Sequence, residues 1–170
     1  AENARDLIGL RASLGVLPGV RDLIGGIEAL TALHERLDPC DDVRDLINRA
    51  LVDEPPATLN TTGIFRPGYA QELDDILQAS EHAREWIEQL EPQERRRTRI
   101  PTLKVGFNRV FGYYIEVTHA HSDKVPEDYI RKQTLVNAER YITPELKEYE
   151  TLVLNAEEQI LGVERRLFEQ

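Results

Sequence analysis

The side chains with the most to offer chemically lie between Asn108 and Arg140. Asn108 and Arg109 sit at the tip of a hairpin whose link, Arg109-Val110-Phe111-Gly112, reads as a turn because Gly112 can take a positive φ. Arg131, Lys132 and Gln133 lead into a segment that alternates as a strand. Asn137 and Arg140 follow, three residues apart, a spacing that one helical turn would bring to one side. Guanidinium and ammonium charge mixed with neutral Asn and Gln donors suits phosphate oxygens. There is no recognition helix and no dense Arg/Asn array for base edges, so contact with nucleic acid would be to the backbone, with little sequence preference. The alternative is a solvated surface on which Arg131 and Arg140 pair with Glu127 and Glu139.

Other chemistries find less support. The sequence has neither G-x-x-x-x-G-K-[ST] nor G-x-G-x-x-G, so no nucleotide-binding loop is expected. His119 and His121 would share a strand face, but the absence of nearby Cys and the scattered acids favour an exposed pair over a metal site. Asp74-Asp75 and Glu157-Glu158 are neighbours on helices, so each pair points two ways and reads as solvated surface. Ser, His and Asp occur without elbow or triad spacing.

Residues 1–54 look helical. Asn3 caps a first helix with Leu7, Leu10 and Leu14. Pro18 starts a second, carrying Val20, Leu23, Ile24 and Ile27 and continuing past Gly25-Gly26 to Leu37. Asp41 or Asp42 caps a third with Val43, Leu46, Ile47 and Leu51. Residues 57–68 form a turn-rich connector with a small hairpin at Asn60 to Gly63. Leu73, Ile76, Ser80, Ala83, Ile87 and Leu90 then repeat at alternating spacings of three and four. So do Leu146, Tyr149, Val153, Ala156, Ile160, Val163 and Leu167 after Pro144. These are two a/d seams. The stretch between them, Ile100 to Thr143, alternates with period two, with strands around Leu103–Asn108, Tyr113–Thr118 and Ile130–Val136. So small a sheet has too little core to stand alone. The simplest arrangement is an antiparallel helical pair with the β insert at its tip.

Composition adds a local asymmetry. The chain of 170 residues has a net charge of −10, which argues against a uniformly DNA-coated protein. Between Arg95 and Ile142, however, ten Lys and Arg face five acids, while the rest of the chain has eleven against twenty-six. A basic island on an acidic body suggests one local contact with an anion. The single Cys40 permits no intrachain disulfide and suits a reducing compartment. No apolar run approaches a membrane span. The chain begins at Ala1 without Met and stops inside a helical pattern, as expected of a fragment.

The stretches TLKVGFNRVFGYYIEVT (102–118) and PEDYIRKQTLVNAERYITPELKEYE (126–150) resemble the MutS family of DNA mismatch-repair proteins, in its bacterial form. RDLIGLRASLGVLPGVRDLI, TGIFRPGYAQELDDI and RTRIPTLKVG extend the resemblance over nearly the whole chain. It implies a mostly helical α+β fold: a core/lever segment (1–68), an outgoing lever helix (69–94), a small antiparallel β-rich clamp (95–142) and a returning lever helix (143–170). It implies that two subunits ring duplex DNA, with clamps touching the backbone without reading sequence. A separate N-terminal domain with a Phe-x-Glu motif reads the mismatch, and a C-terminal domain hydrolyses ATP with Mg. The fragment itself would then be no enzyme and hold no cofactor, in a cytoplasmic bacterial protein. Carried over by position, the DNA contacts fall on Asn108, Arg109, Asn137 and Arg140. Val136 and Phe111 are apolar where polar residues occur in relatives. The competing expectation is a coiled-coil scaffold that docks a MutL-type partner through acidic arms, for example at Glu157 and Glu158.

Overall fold

The computed structural model describes residues 2–170, and its chain divides into two compact units, residues 1–74 with 160–170 and residues 75–159. The class is α+β: the described residues form six α-helices and one four-stranded antiparallel sheet. The helices are α1 (Ala4–Gly15), α2 (Leu17–Ile24), α3 (Thr31–Arg36), α4 (Asp41–Ala50), α5 (Gln71–Thr98) and α6 (Pro144–Phe168). The strands are β1 (Lys104–Asn108), β2 (Gly112–Thr118), β3 (Ile130–Thr134) and β4 (Ala138–Ile142). The two long helices each contribute to both units.

In the first unit, α1 starts where its cap predicts. Asn3 Oδ1 accepts from the Asp6 amide, and Asp6 returns the bond to the Asn3 amide, which satisfies two of the helix's orphan donors. The expected long second helix is instead two short ones. α2 ends at Ile24 and α3 begins only at Thr31, with a 3-10 turn between. Gly25-Gly26 breaks the helix because glycine loses the most backbone entropy in it. α4 begins at Asp41, but Asp41 and Asp42 sit in its first turn. The capping position is Cys40, with φ +51° and no side-chain cap. The expected hairpin at Asn60 to Gly63 is absent; that stretch is turn and bend, and the one bridge nearby pairs Leu51 with Phe65.

The turn is held by a side chain distant in sequence. Glu164 of α6, 2% exposed, points its carboxylate into the loop and accepts from the amides of Gly63, Ile64 and Phe65 at 2.8 to 3.3 Å. Three converging N–H groups replace the water that the buried anion has lost.

In the second unit the strand order is β1-β2-β4-β3. Along β2, Ile115 and Val117 are buried and join Ile87, Leu90, Ile100, Leu103, Tyr129, Tyr141 and Leu146 in one core. Trp86 of α5 stacks on Tyr149 of α6 at 4.3 Å between ring centroids. The sheet therefore packs one face on helical side chains, as so small a sheet must. The seam positions are buried or half-buried along both long helices. α5 passes through Pro92 to Thr98.

Two contacts fix the sheet to the helices. β1 is an edge strand, and its outward Val105 amide would otherwise lack a partner. Glu91 Oε2 accepts it at 2.9 Å, while Arg95 Nε donates to the Leu103 carbonyl at 2.7 Å. A helix thus covers the edge. At the β1–β2 turn, Glu150 of α6 is 5% exposed. Its Oε2 accepts from the Tyr113 amide at 2.8 Å and its Oε1 from Lys147 Nζ at 2.7 Å.

Candidate functional site

Register decides which of the polar side chains meet. β1 pairs Lys104 with Glu116, Gly106 with Tyr114 and Asn108 with Gly112. β2 pairs Glu116 with Arg140, and β4 pairs Arg140 with Gln133. Side chains alternate across a strand, so Lys104, Asn108, Tyr114, Glu116, Gln133 and Arg140 share the face turned away from the buried Ile115 and Val117. Asn108 and Arg140 therefore lie on one face of the sheet.

They are not held alike. Asn108 Oδ1 accepts from the amides of Val110 and Phe111 at 2.7 and 3.3 Å, an Asx turn that shapes the hairpin tip. Arg109 is exposed at that tip and, among the described residues, engages in no ion pair or hydrogen bond. Beside it Val110 is 82% exposed. Arg140, by contrast, is enclosed. Its Nε donates to Glu116 Oε2 at 3.0 Å and its Nη1 to Gln133 Oε1 at 2.9 Å. Its guanidinium also lies 4.1 Å from the centroid of the Tyr114 ring, within cation–π range. The Tyr114 ring in turn covers Gly106, where an added Cβ would come within 2.5 Å of the phenol oxygen.

Asn137 stands apart from this group. The expected helical turn from Asn137 to Arg140 is in fact the entry to β4, which begins at Ala138. Ala138 is opposite Thr118, at the far end of β2 from Gly112. The turns holding Arg109 and Asn137 are thus at opposite ends of the sheet, separated by about 20 Å of strand. Asn137 is exposed, and its carbonyl accepts from the His119 amide at 3.1 Å. The third strand is shorter than expected, ending at Thr134, and it bulges between Arg131 and Gln133. Arg131 pairs with Glu139 at 3.4 Å; Arg140 chooses Glu116 rather than Glu139. His119 and His121 sit in a 3-10 helix, not on a strand. Among the described residues no cluster of His, Cys, Asp or Glu could hold a metal ion.

Much of the basic run at the end of α5 is also spent internally. Arg95 pairs with Glu91 at 2.8 Å, and Arg97 with Glu94 at 2.8 Å and Asp128 at 3.1 Å. Arg96 Nε donates to the Pro92 carbonyl. The Tyr129 hydroxyl donates to Glu94, and Arg97 lies 5.7 Å from the centroid of the Tyr129 ring. Among the described residues, the exposed cations of this unit that make no such bond are Arg84, Arg99, Lys104, Arg109, Lys124 and Lys132.

Burial, then the Glu94 carboxylate, holds the Tyr129 hydroxyl protonated well above its ordinary value of 10.0. Its folded-state pKa is raised, so the stability it contributes is complete below the unfolded value and is lost as pH climbs from about 10. The expected result is a stability curve that falls above pH 10 and falls less steeply there in Tyr129→Phe, where Tyr141, also raised by burial and Glu139, remains. Chemical denaturation from pH 8 to 11 measures it; parallel curves would refute this role for Tyr129.

Sequence reasoning missed Tyr114 and Glu116, which decide what Arg140 can do. Their signal was alternation in GYYIEVT, which puts both on one face; the register that brings them to Arg140 was not readable.

Known proteins are similar to this chain in sequence. The family model described as MutS family domain IV matches residues 68–159. The chain is 51% identical over 167 residues to the DNA mismatch repair protein MutS of Salinibacter ruber, covering 97% of this chain and 18% of that protein. It is 51% identical over 171 residues to the protein of that name from Pelotomaculum thermopropionicum, covering 99% and 20%. The protein of that name from Listeria monocytogenes matches equally, at 51% over 171 residues with 99% and 20% covered. The chain spans about a fifth of the length of these curated relatives. With a family model across more than half its residues and half-identical relatives along nearly all of them, the chain belongs to the MutS family.

Proposed function

We propose that this chain is the lever and clamp portion of a DNA mismatch-repair protein, and that its sheet touches the phosphates of duplex DNA without reading sequence. In this reading α5 and α6 are paired arms and the sheet is the clamp they carry. Residues 1–68 belong to the core/lever segment, 69–94 and 143–170 to the arms and 95–142 to the clamp. The segment has no catalytic role of its own. ATP and Mg, the partner subunit of a dimeric ring and a MutL-type protein belong to the whole molecule, working on DNA in the cytoplasm.

The observation that carries this reading is the family match over 68–159, which spans the whole sheet. The sheet supports it with an exposed, unpaired Arg109 at one turn, an exposed Asn137 at the other, and Arg140 on the face between. Asn108 acts chiefly through its shape, holding the turn that presents Arg109.

Fluorescence anisotropy with labelled duplexes tests the proposal. With three or four phosphates contacted, log K should fall against log salt with a slope of about −3 to −4, equally for unrelated sequences. Affinity should be weak, because one clamp lacks the avidity of a ring. Replacing Asn108, Arg109, Asn137 and Arg140 by alanine together should weaken binding strongly and make its salt slope shallower. Unchanged binding would sink the proposal.

A second reading rests on Glu157 and Glu158, which are exposed on α6 near Leu154, 50% exposed. If α6 docks a protein partner, charge reversal there should abolish docking and leave DNA binding intact.

A further inference from the structure

We infer that Glu116 is a built-in competitor of DNA phosphate for Arg140, and that Lys104 is a phosphate-binding cation of the same sheet face; this rests on the reading of the sheet as a DNA clamp. The juxtaposition is a row across all four strands: Lys104, Glu116, Arg140 and Gln133 are successive register partners. Neighbouring strands lie about 4.8 Å apart, so Lys104 and Arg140 stand roughly 10 Å apart with the carboxylate between them.

The three occupied groups have a definite chemistry. Arg140 already gives Nε to Glu116 and Nη1 to Gln133. The Glu116 and Arg140 side chains are 25% and 21% exposed, so the pair is reachable from solvent while being held in place. A phosphate approaching Arg140 meets a guanidinium whose charge is already matched. It must share the cation with Glu116 or displace it, and it is repelled by the carboxylate it displaces. Neither outcome neutralises a phosphate by a full charge. Lys104 makes no ion pair among the described residues and lies exposed at the other side of Glu116. It is thus available to a phosphate without any exchange of partners. Tyr114, packed over Gly106 and under Arg140, keeps the guanidinium on this face whether or not the carboxylate holds it.

The device makes a clear prediction about charge. Removing the Glu116 charge alone should release Arg140 for phosphate, adding about one neutralised phosphate to the contact. Glu116→Gln keeps the shape and a hydrogen-bond acceptor for Arg140. It should bind a labelled duplex several-fold more tightly at low salt and steepen the salt slope by about 0.9. Lys104→Gln should weaken binding and make the slope shallower by a similar amount. Both variants sit on the open face of the sheet, so circular-dichroism melting should show them folded, and a slope is not moved by a purely structural change.

The outcomes separate the two levels of argument. A steeper slope in Glu116→Gln with a shallower one in Lys104→Gln supports the inference. If both slopes equal that of the parent while a further variant, Arg109→Ala, loses affinity, the inference is overturned and the clamp reading stands. If the parent chain itself shows no salt-dependent binding, the clamp reading has failed first. Weaker binding by Glu116→Gln would mean that the carboxylate positions Arg140 for phosphate, which also overturns the competitor role.

Discussion

Replacing Gly112 with alanine should destabilise the second unit by about 3–5 kcal/mol, the largest effect expected of any single methyl group in this chain. Two independent costs meet there. Gly112 has φ +79°, a left-handed conformation that costs an L-residue about 1–2 kcal/mol. An added Cβ would also stand 2.5 Å from the Glu150 carboxyl carbon. Glutamate can usually swing away from such a clash. Glu150 cannot do so cheaply, because it is buried and its two oxygens are committed to the Tyr113 amide and Lys147. Moving it leaves a buried carboxylate and a backbone amide without partners. At about 2–4 °C per kcal/mol for a chain this size, thermal unfolding should show a midpoint lower by roughly 10 °C. The same turn presents Arg109, so DNA binding should fall with it. A loss below about 1 kcal/mol would show that Glu150 relocates freely and does not lock the turn.

Glu164→Ala should cost about 2–4 kcal/mol, felt in the first unit. The carboxylate is the shared acceptor for the amides of Gly63, Ile64 and Phe65. Truncation leaves those donors facing a small void, and Ile64, which is fully buried, loses the bond that holds its backbone. Glu164→Gln retains an acceptor oxygen but adds an NH2 group among donors, so it should recover only part of the loss. Urea denaturation of the three proteins would order them parent, Gln, Ala. Equal midpoints for parent and Ala would mean that water replaces the carboxylate at no cost.

Both sensitive sites depend on buried glutamates, and neither was visible in the sequence. The chain has 31 acidic residues, most of them on solvated helix faces. Glu150 and Glu164 look like any of these, because what buries them is a turn about 40 to 100 positions away. The seams were legible for the opposite reason. Leu73, Ala83, Ile87, Leu146, Ala156 and Ile160 repeat at a spacing that only a helix turns into one stripe, and all are buried. The Asn3 cap and the Gly112 turn were likewise local chemistry. Asn137 and Arg140 stand three apart, the spacing of a helical turn, and Ala-Glu-Arg suits a helix on propensity alone. Pairing with β2 and β3 overrode it. That override also changed the meaning of the site, since it carried Arg140 to Glu116 and left Asn137 at the opposite end of the sheet. Arg95 and Arg97 illustrate the same limit: the charge count found them, but only their contacts show that Glu91, Glu94 and Asp128 already hold them.

If the proposed clamp is right, duplex DNA meets this chain on the outer face of the sheet and at its Arg109 turn. At 19.5 kDa the chain suits amide-resolved NMR, and titration of the 15N-labelled protein with a short duplex at low salt tests the claim directly. The account predicts shifts at Asn108 to Gly112, at Lys104 and Gln133, and around Asn137 to Arg140, fading together as salt is raised. Shifts confined to residues 1–68 or to the surface around Glu157 and Glu158, with the sheet unmoved, would contradict it.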